Sequence, residues 1–433
     1  MKTNLERTSI AVVILGLTVR VLLAPITSHP YDMGLFALSQ RLYFESGILD
    51  LKYFPTLPLL FYVQIPFYAF YTLLRDLGLP DFQLFYHTTL MVESVFLKLP
   101  LILSDLGGFF AIRALTGRRM PAILFFLNPF VIYLSSVWGT YDTLMMFPLV
   151  AGFALLLSHG KSRSTVAFVV SGLAKLFGFL PYVFLVLDSF LKRQFRLAGL
   201  QIIAGLAISI GLLLPTFLVG GFNIFLLSIP LRFLGINSTA STTSAHSYNL
   251  LYNVFGQAFA QTRYFEVIAV GMVLSAYGLE SRRLRGAAKV ENITVLVKWS
   301  LVGAIALNIF SPSEPQWLSW IIPLGIIYGF LTNRTGLQHF TFFYGAIATF
   351  LIITLGQGTG YVLGTSLHFL SNLEVPLANN LALYALCALS LLIIALGYVF
   401  LRPVRFKLEI AALMTLIYLQ GYFWFVIVGI HNL

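Results

Sequence analysis

Residues Thr165–Phe190 read TVAFVVSGLAKLFGFLPYVFLVLDSF, an apolar run with a basic loop on each side, HGKSR at 159–163 and LKRQFR at 191–196. Lysine and arginine gather on the cytoplasmic side of membrane proteins, so both ends of the run belong to one compartment. The run therefore has to turn back on itself. The turn is predicted at Lys175–Gly178, between two short helices of about 20 Å each, too short to cross a hydrocarbon core of about 30 Å. Such a pair leaves room for a cavity above it. The alternative is one tilted helix, which would invert every later loop and place ESRRLRGAAK (280–289) outside.

The rest of the chain fits a membrane setting. Of 433 residues, 58% are hydrophobic and 10% charged, with a mean hydropathy of +0.88. Lipid absorbs that much apolar surface and a soluble core does not, so the fold class expected is an all-α polytopic membrane protein. The run after Met1 has no small-residue cleavage site and reads as a retained first helix, not a signal peptide. A net charge of +11 does not indicate nucleic acid, because the basic residues sit in short clusters between apolar runs. The single cysteine, Cys387, forms no internal disulfide, so helix packing alone must hold the fold.

Apolar runs bounded by polar loops give about thirteen spans: 8–26, 93–113, 120–137, 142–158, 164–176, 178–191, 196–218, 264–279, 290–309, 317–332, 338–355, 380–400 and 407–429. Assigning alternate loops to the cytoplasm gathers 18 of the 27 lysines and arginines there, while Asp32, Asp142 and Glu314 fall on the other side. The N-terminus is then cytoplasmic and Asp32 exoplasmic, in the ER lumen or outside the plasma membrane. The segment YFPTLPLLFYVQIPFYAFYTLL (53–74) is apolar, but its prolines and aromatics suit a juxtamembrane hairpin better than a crossing. This leaves a first outer loop at 27–92 and a second, Ser/Thr-rich one at 219–263.

Ionisable groups at membrane depth are costly and raise a functional question wherever they occur. Arg20, Asp32, Lys98, Asp105, Asp142, Lys175, Arg263 and Glu314 fall within spans or near their outer ends, so one exoplasmic site can gather them. Bland readings stand beside this one. Arg20 can snorkel to the interface, and Asp105 is expected in a buried pair with a basic neighbour. Asp32 can cap the helix of MGLFALSQRLYF, and Trp138 and Tyr141 can be interfacial belt residues. No metal-ligand spacing, Walker loop or dinucleotide fingerprint is present, so no cofactor is predicted and no metal site is assigned.

The order of motifs resembles the membrane glycosyltransferases of the C superfamily (GT-C), which take a sugar from a polyprenyl-phosphate donor. Arg20 and Asp32 match an arginine near the end of the first helix and an acidic residue in the first outer loop. VFLKLPLILSDLGGFFAIRAL (95–115) follows the pattern that opens the second span, with Lys98 and Asp105 in register. LFFLNPFVIYLSSVWGTYDTLMMFPLVAGFAL (124–155) is similar to a stretch of the catalytic subunit of GPI mannosyltransferase I and of the dolichyl-phosphate-glucose enzymes of N-glycan assembly. SGLAKLFGFLPYVFL (171–185) places Lys175 at the lysine of the next element, with Gly178 where proline is frequent. SPSEPQWLSWIIP (311–323) departs further, carrying Glu314 and Gln316 in a motif that is often histidine-rich.

The resemblance implies a GT-C fold in which 1–218 is the transmembrane module with a catalytic first outer loop, 219–263 a second outer loop, and 264–433 a variable helix set. It implies an inverting transfer of a hexose, mannose before glucose, from a polyprenyl or dolichyl phosphate to a glycan or glycolipid. Asp32 is the expected general base, which takes the acceptor's proton. Lys175, Lys98, Arg263, Arg232 and Arg20 are candidates for the donor phosphate. Tyr31, Trp138, Tyr141, Asp142, His246, Tyr248, Glu314, Gln316 and Trp317 are candidates for the sugar and the acceptor. Metal dependence is left open, since no second acidic residue lies two positions from Asp32 to make a DxD pattern. Membrane lipids and an auxiliary subunit are the remaining partners considered. The competing classes are a multispan transporter or flippase, against which the chain shows no inverted halves, and a non-catalytic subunit, against which Asp32 argues.

Overall fold

The computed structural model describes residues 2–49, 58–83, 89–218, 264–284, 288–310 and 315–355. Their secondary structure is helical, apart from one isolated antiparallel bridge between Gln83 and Leu90. The helices fall into two compact units. The first holds α1 (Lys2–Leu23), α2 (Pro30–Ser46), α3 (Leu59–Asp76), α4 (Met91–Thr116), α5 (Arg119–Phe126), α6 (Pro129–Ile132), α7 (Asp142–Ser158), α8 (Lys161–Ala174), α9 (Phe179–Leu191) and α10 (Phe195–Leu218). The second holds α11 (Tyr264–Arg283), α12 (Lys289–Phe310), α13 (Ile321–Leu331) and α14 (Thr335–Leu355). The predicted spans 380–400 and 407–429 lie outside the described residues. Among the described residues three helices are long and apolar enough to cross a membrane, Met91–Thr116, Phe195–Thr216 and Lys289–Asn308, and α5 with the helix after it adds a fourth if read as one bent span.

That bent span has a local cause. Asn128 caps the second half by accepting from Phe130 N at 3.0 Å, and Pro129 takes the first helical position, where its missing N–H costs nothing. The axis bends by 49° there. The helix then widens into a π-helical turn, Tyr133–Trp138, which stops at Gly139 with φ of +83°. Glycine is needed there because the left-handed backbone penalises a side chain, and a Cβ would also stand 3.1 Å from Lys98 Cε.

The apolar run Thr165–Phe190 is broken as expected. α8 ends at Ala174, Lys175 is extended (φ −151°, ψ 133°), and one tight turn, Leu176–Gly178, leads into α9. At the far end, Lys161 Nζ at the start of α8 lies 2.8 Å from Asp188 Oδ2 and 3.1 Å from Ser189 Oγ in α9. The two basic loops are therefore adjacent, and Lys175 stands at the apex of a helical hairpin. α7 packs between α4 and α8 and brings its own first residue, Asp142, to that apex.

Two expectations for the first outer loop need correction. Leu59–Asp76 is one helix, not a hairpin, and it continues through Pro66. It runs antiparallel to the start of α4, with Gln64 Nε2 donating to Leu97 O at 3.0 Å and Tyr68 OH donating to Glu93 Oε1 at 2.7 Å. α4 in turn has its first N–H groups satisfied by carboxylates. Asp81 accepts from Val92 N (2.8 Å) and Glu93 N (3.0 Å), and Glu93 accepts from Leu90 N (3.1 Å) and pairs with Arg41 of α2. The second correction concerns the cap of α2. His29 is its N-cap, accepting Asp32 N on Nδ1 at 3.1 Å, so the Asp32 carboxylate is not used for capping. Pro30 follows at the first helical position, and Gly47 (φ +68°) ends the helix.

Candidate active site

The Asp32 carboxylate stands in the first turn of α2 and is 8% exposed. Trp138, from the π-helical turn, donates its indole N–H to Asp32 Oδ2 at 2.8 Å. The His29 ring stacks on the Trp138 indole, with 4.7 Å between centroids and 11° between planes. His29 N also donates to Trp138 O at 3.3 Å. Among the described residues Asp32 Oδ1 accepts no hydrogen bond. Burial pushes the Asp32 carboxyl up to about 6, against the lowering effect of the Trp138 bond and of Lys175; Asp142 adds to the rise. At neutral pH it is therefore mostly ionised and a stronger base than an ordinary aspartate. Burial pushes His29 down to about 3, so the ring is neutral. Its Nδ1 accepts a backbone N–H, which puts the ring proton on Nε2.

Lys175 supplies the opposite charge. Its ammonium donates to Tyr141 OH at 2.9 Å and to Asp142 Oδ2 at 3.3 Å, and lies 4.2 Å from the Tyr141 ring centre. Asp142 is fully buried and accepts a further bond from Thr140 Oγ1 at 3.2 Å. The break after α8 is what delivers this ammonium: an unbroken helix would carry the side chain along its own face, whereas the extended Lys175 points it at the start of α7. Base, cation and aromatic surface thus converge from α2, the Trp138 turn, the first turn of α7 and the hairpin apex.

Lys98 and Arg20 are engaged elsewhere. Lys98 is fully buried and donates to the carbonyls of Ala24 (3.0 Å), Thr27, Ser136 (2.9 Å) and Val137 (3.2 Å), and to Thr27 Oγ1 (3.3 Å). Arg20 lies in the expected buried pair with Asp105, Nε to Oδ2 2.9 Å, and its Nη1 and Nη2 donate to Gly16 O and Phe126 O. It does not snorkel: its guanidinium is fully buried, 4.3 Å from the Phe126 ring centre.

Tyr31 sits in the first turn of α2. Gln316 and Trp317 belong to a tight helical turn, Pro315–Trp320, in the second unit, where Trp317 stacks on Trp320 with centroids 4.8 Å apart. Arg232, His246, Tyr248, Arg263 and Glu314 lie outside the described residues. Among the described residues no three His, Cys, Asp or Glu side chains cluster. Two members of the site were not among the candidate residues drawn from the sequence, His29 and Thr140. His29 carried a signal, a polar residue directly before Pro30 at a helix start. Thr140 carried none, because its role depends on how the backbone turns after Gly139.

No protein-family model matches the chain, and no curated protein matches it. Among solved structures, the chain is similar to the crystal structure of ArnT from Cupriavidus metallidurans in the apo state, at 17% identity over 97% of this chain and 75% of that chain, with a TM-score of 0.46.

Proposed function

We propose that the chain is an integral-membrane, inverting glycosyltransferase. It moves a hexose, mannose before glucose, from a polyprenyl or dolichyl phosphate to a hydroxyl of a glycan or glycolipid on the exoplasmic side. The observation that carries this reading is a carboxylate with one oxygen held by an indole and the other unengaged among the described residues, within electrostatic reach of a lysine. The order of motifs along the chain supports it independently.

In the transfer, Asp32 Oδ1 takes the proton of the acceptor hydroxyl as its oxygen attacks the anomeric carbon. The bond from that carbon to the phosphate oxygen breaks on the opposite face, with inversion. The leaving phosphate gains negative charge, and Lys175 is the cation placed to receive it. Asp142 and Tyr141 hold the ammonium until the phosphate arrives. A positioned base of this kind contributes a factor of about 10² to 10⁴. Trp138 and His29 provide a stacked aromatic surface beside the base, suited to a sugar ring.

The test is transfer by purified protein from synthetic short-chain polyprenyl-phosphate mannose or glucose to a panel of glycolipids, with Asp32→Asn beside the wild type. Transfer that disappears in the variant is expected. Transfer that persists removes Asp32 as the base, and inertness toward every donor favours a transporter.

A further inference from the structure

We propose that Lys98 is the positioning residue of this site, its ammonium acting as a built-in cation that clamps the segment before Asp32 to the turn that presents Trp138. The inference rests on Asp32 as the reactive carboxylate. The Lys98 ammonium faces five oxygen acceptors from two separate segments. Ala24 and Thr27 lie just past the end of α1; Ser136 and Val137 end the π-helical turn. Ser136 and Val137 lie in the last turn of their helix, where carbonyl dipoles point out unsatisfied and a cation is favoured, and the Ala24 and Thr27 carbonyls come from the turn that follows α1.

Thr27 Oγ1 is also 3.0 Å from Ser136 O, so the two segments touch directly beneath the ammonium. Ser94, one turn earlier on α4, bonds Ala24 O at 3.0 Å. The clamp therefore stands on the helix whose N-terminus is held by Asp81 and Glu93. Asp32 is five residues past Thr27, and Trp138 is the residue after Val137. Without a cation the four carbonyls would face one another unsolvated, and the segments would part. The first contact to open is the Trp138 bond to Asp32, since it spans them.

The test reads that bond directly by fluorine NMR on 5-fluorotryptophan-labelled protein in detergent, with the Trp138 resonance assigned through Trp138→Phe. In the wild type this resonance should shift with a midpoint about pH 6 as Asp32 titrates, a step that Asp32→Asn removes. The charged or titratable groups facing Asp32 are His29, Lys175 and Asp142. Only Asp32 is expected to move the Trp138 signal in this range.

In Lys98→Met the step should vanish, and kcat should fall about 100-fold while KM for the donor stays within about threefold. Methylammonium added to Lys98→Ala should restore both. Thr27→Val, which keeps the lysine and removes one acceptor, should weaken the step and lower kcat by about three- to tenfold. A step that persists in Lys98→Met overturns the proposal, whatever happens to kcat. If Lys98→Met does not fold, Thr27→Val decides: an unaltered step overturns the proposal, and a weakened one supports it. Because the resonance requires no turnover, a wild type that shows the step but transfers no sugar refutes the function and leaves the clamp standing.

Discussion

Replacing Asp32 by asparagine should make the protein more stable and abolish its chemistry. A carboxyl moved from 3.8 to about 6 binds its proton more tightly in the folded chain than in the unfolded one. Below 3.8 both states are protonated and nothing is lost; as pH rises through 6 the folded chain must carry a buried charge, and the loss is complete above 6. The cost at neutral pH is about 3 kcal/mol. Asparagine carries no charge, and its side-chain oxygen still accepts the Trp138 indole N–H. Thermal unfolding in detergent at pH 7.5 should therefore show Asp32→Asn melting above wild type by a few degrees, the gap closing as the buffer approaches pH 4. Over the same range, kcat/KM of the wild type should fall on an acid limb with a midpoint about pH 6, with no contribution from the neutral His29. An asparagine variant that melts below wild type at pH 7.5, or that transfers sugar within tenfold of wild type, refutes the reasoning.

Four further outcomes follow from the structure. Lys175→Met should lower kcat by about 10² to 10³ and also destabilise the fold, because it removes the cation beside the fully buried Asp142; adding Asp142→Asn should restore stability but not activity, measured by melting and transfer together. Arg20→Leu should cost about 3–5 kcal/mol through the unpaired Asp105, and Arg20→Leu with Asp105→Leu should cost less than the sum, a non-additivity read from a double-mutant cycle. Gly139→Ala should cost about 1–3 kcal/mol from its left-handed backbone and should impair transfer, because Trp138 is the preceding residue; full activity in this variant would show that the turn tolerates movement. Single cysteines at Arg163 and Arg193, in a Cys387→Ser background, should label from the same side of the membrane, since the two ends of the α8–α9 hairpin meet; opposite labelling would mean one continuous crossing.

The helices themselves were legible in the sequence because a helix in lipid satisfies its own backbone and so reveals itself as a local apolar run. The break at Lys175–Gly178 was legible as well, since the positive-inside bias acts on each loop separately. The juxtamembrane hairpin was misread because prolines and aromatics signal an interface without saying whether the chain turns there; Pro66 sits within a helix that neighbouring side chains support. Asp32 was legible as a special carboxylate and Trp138, Asp142 and Lys175 as candidates for one site with it, but the bonds that join them were not.

Composition, hydropathy and loop charge, taken alone, determine an all-α membrane protein, where most of its helices lie and which residues carry charge at membrane depth. These are local properties, set by what water and lipid each tolerate. Only the tertiary structure decides which charges meet: Trp138 reaches Asp32 across 106 positions, and Lys175 reaches Asp142 across 33. It also decides that Lys98 and Arg20 are spent on bonds within the first unit, while Lys175 is held by Asp142 and Tyr141 at the hairpin apex. Such pairings depend on where separate helices end and how they pack, and no periodicity within one helix records that.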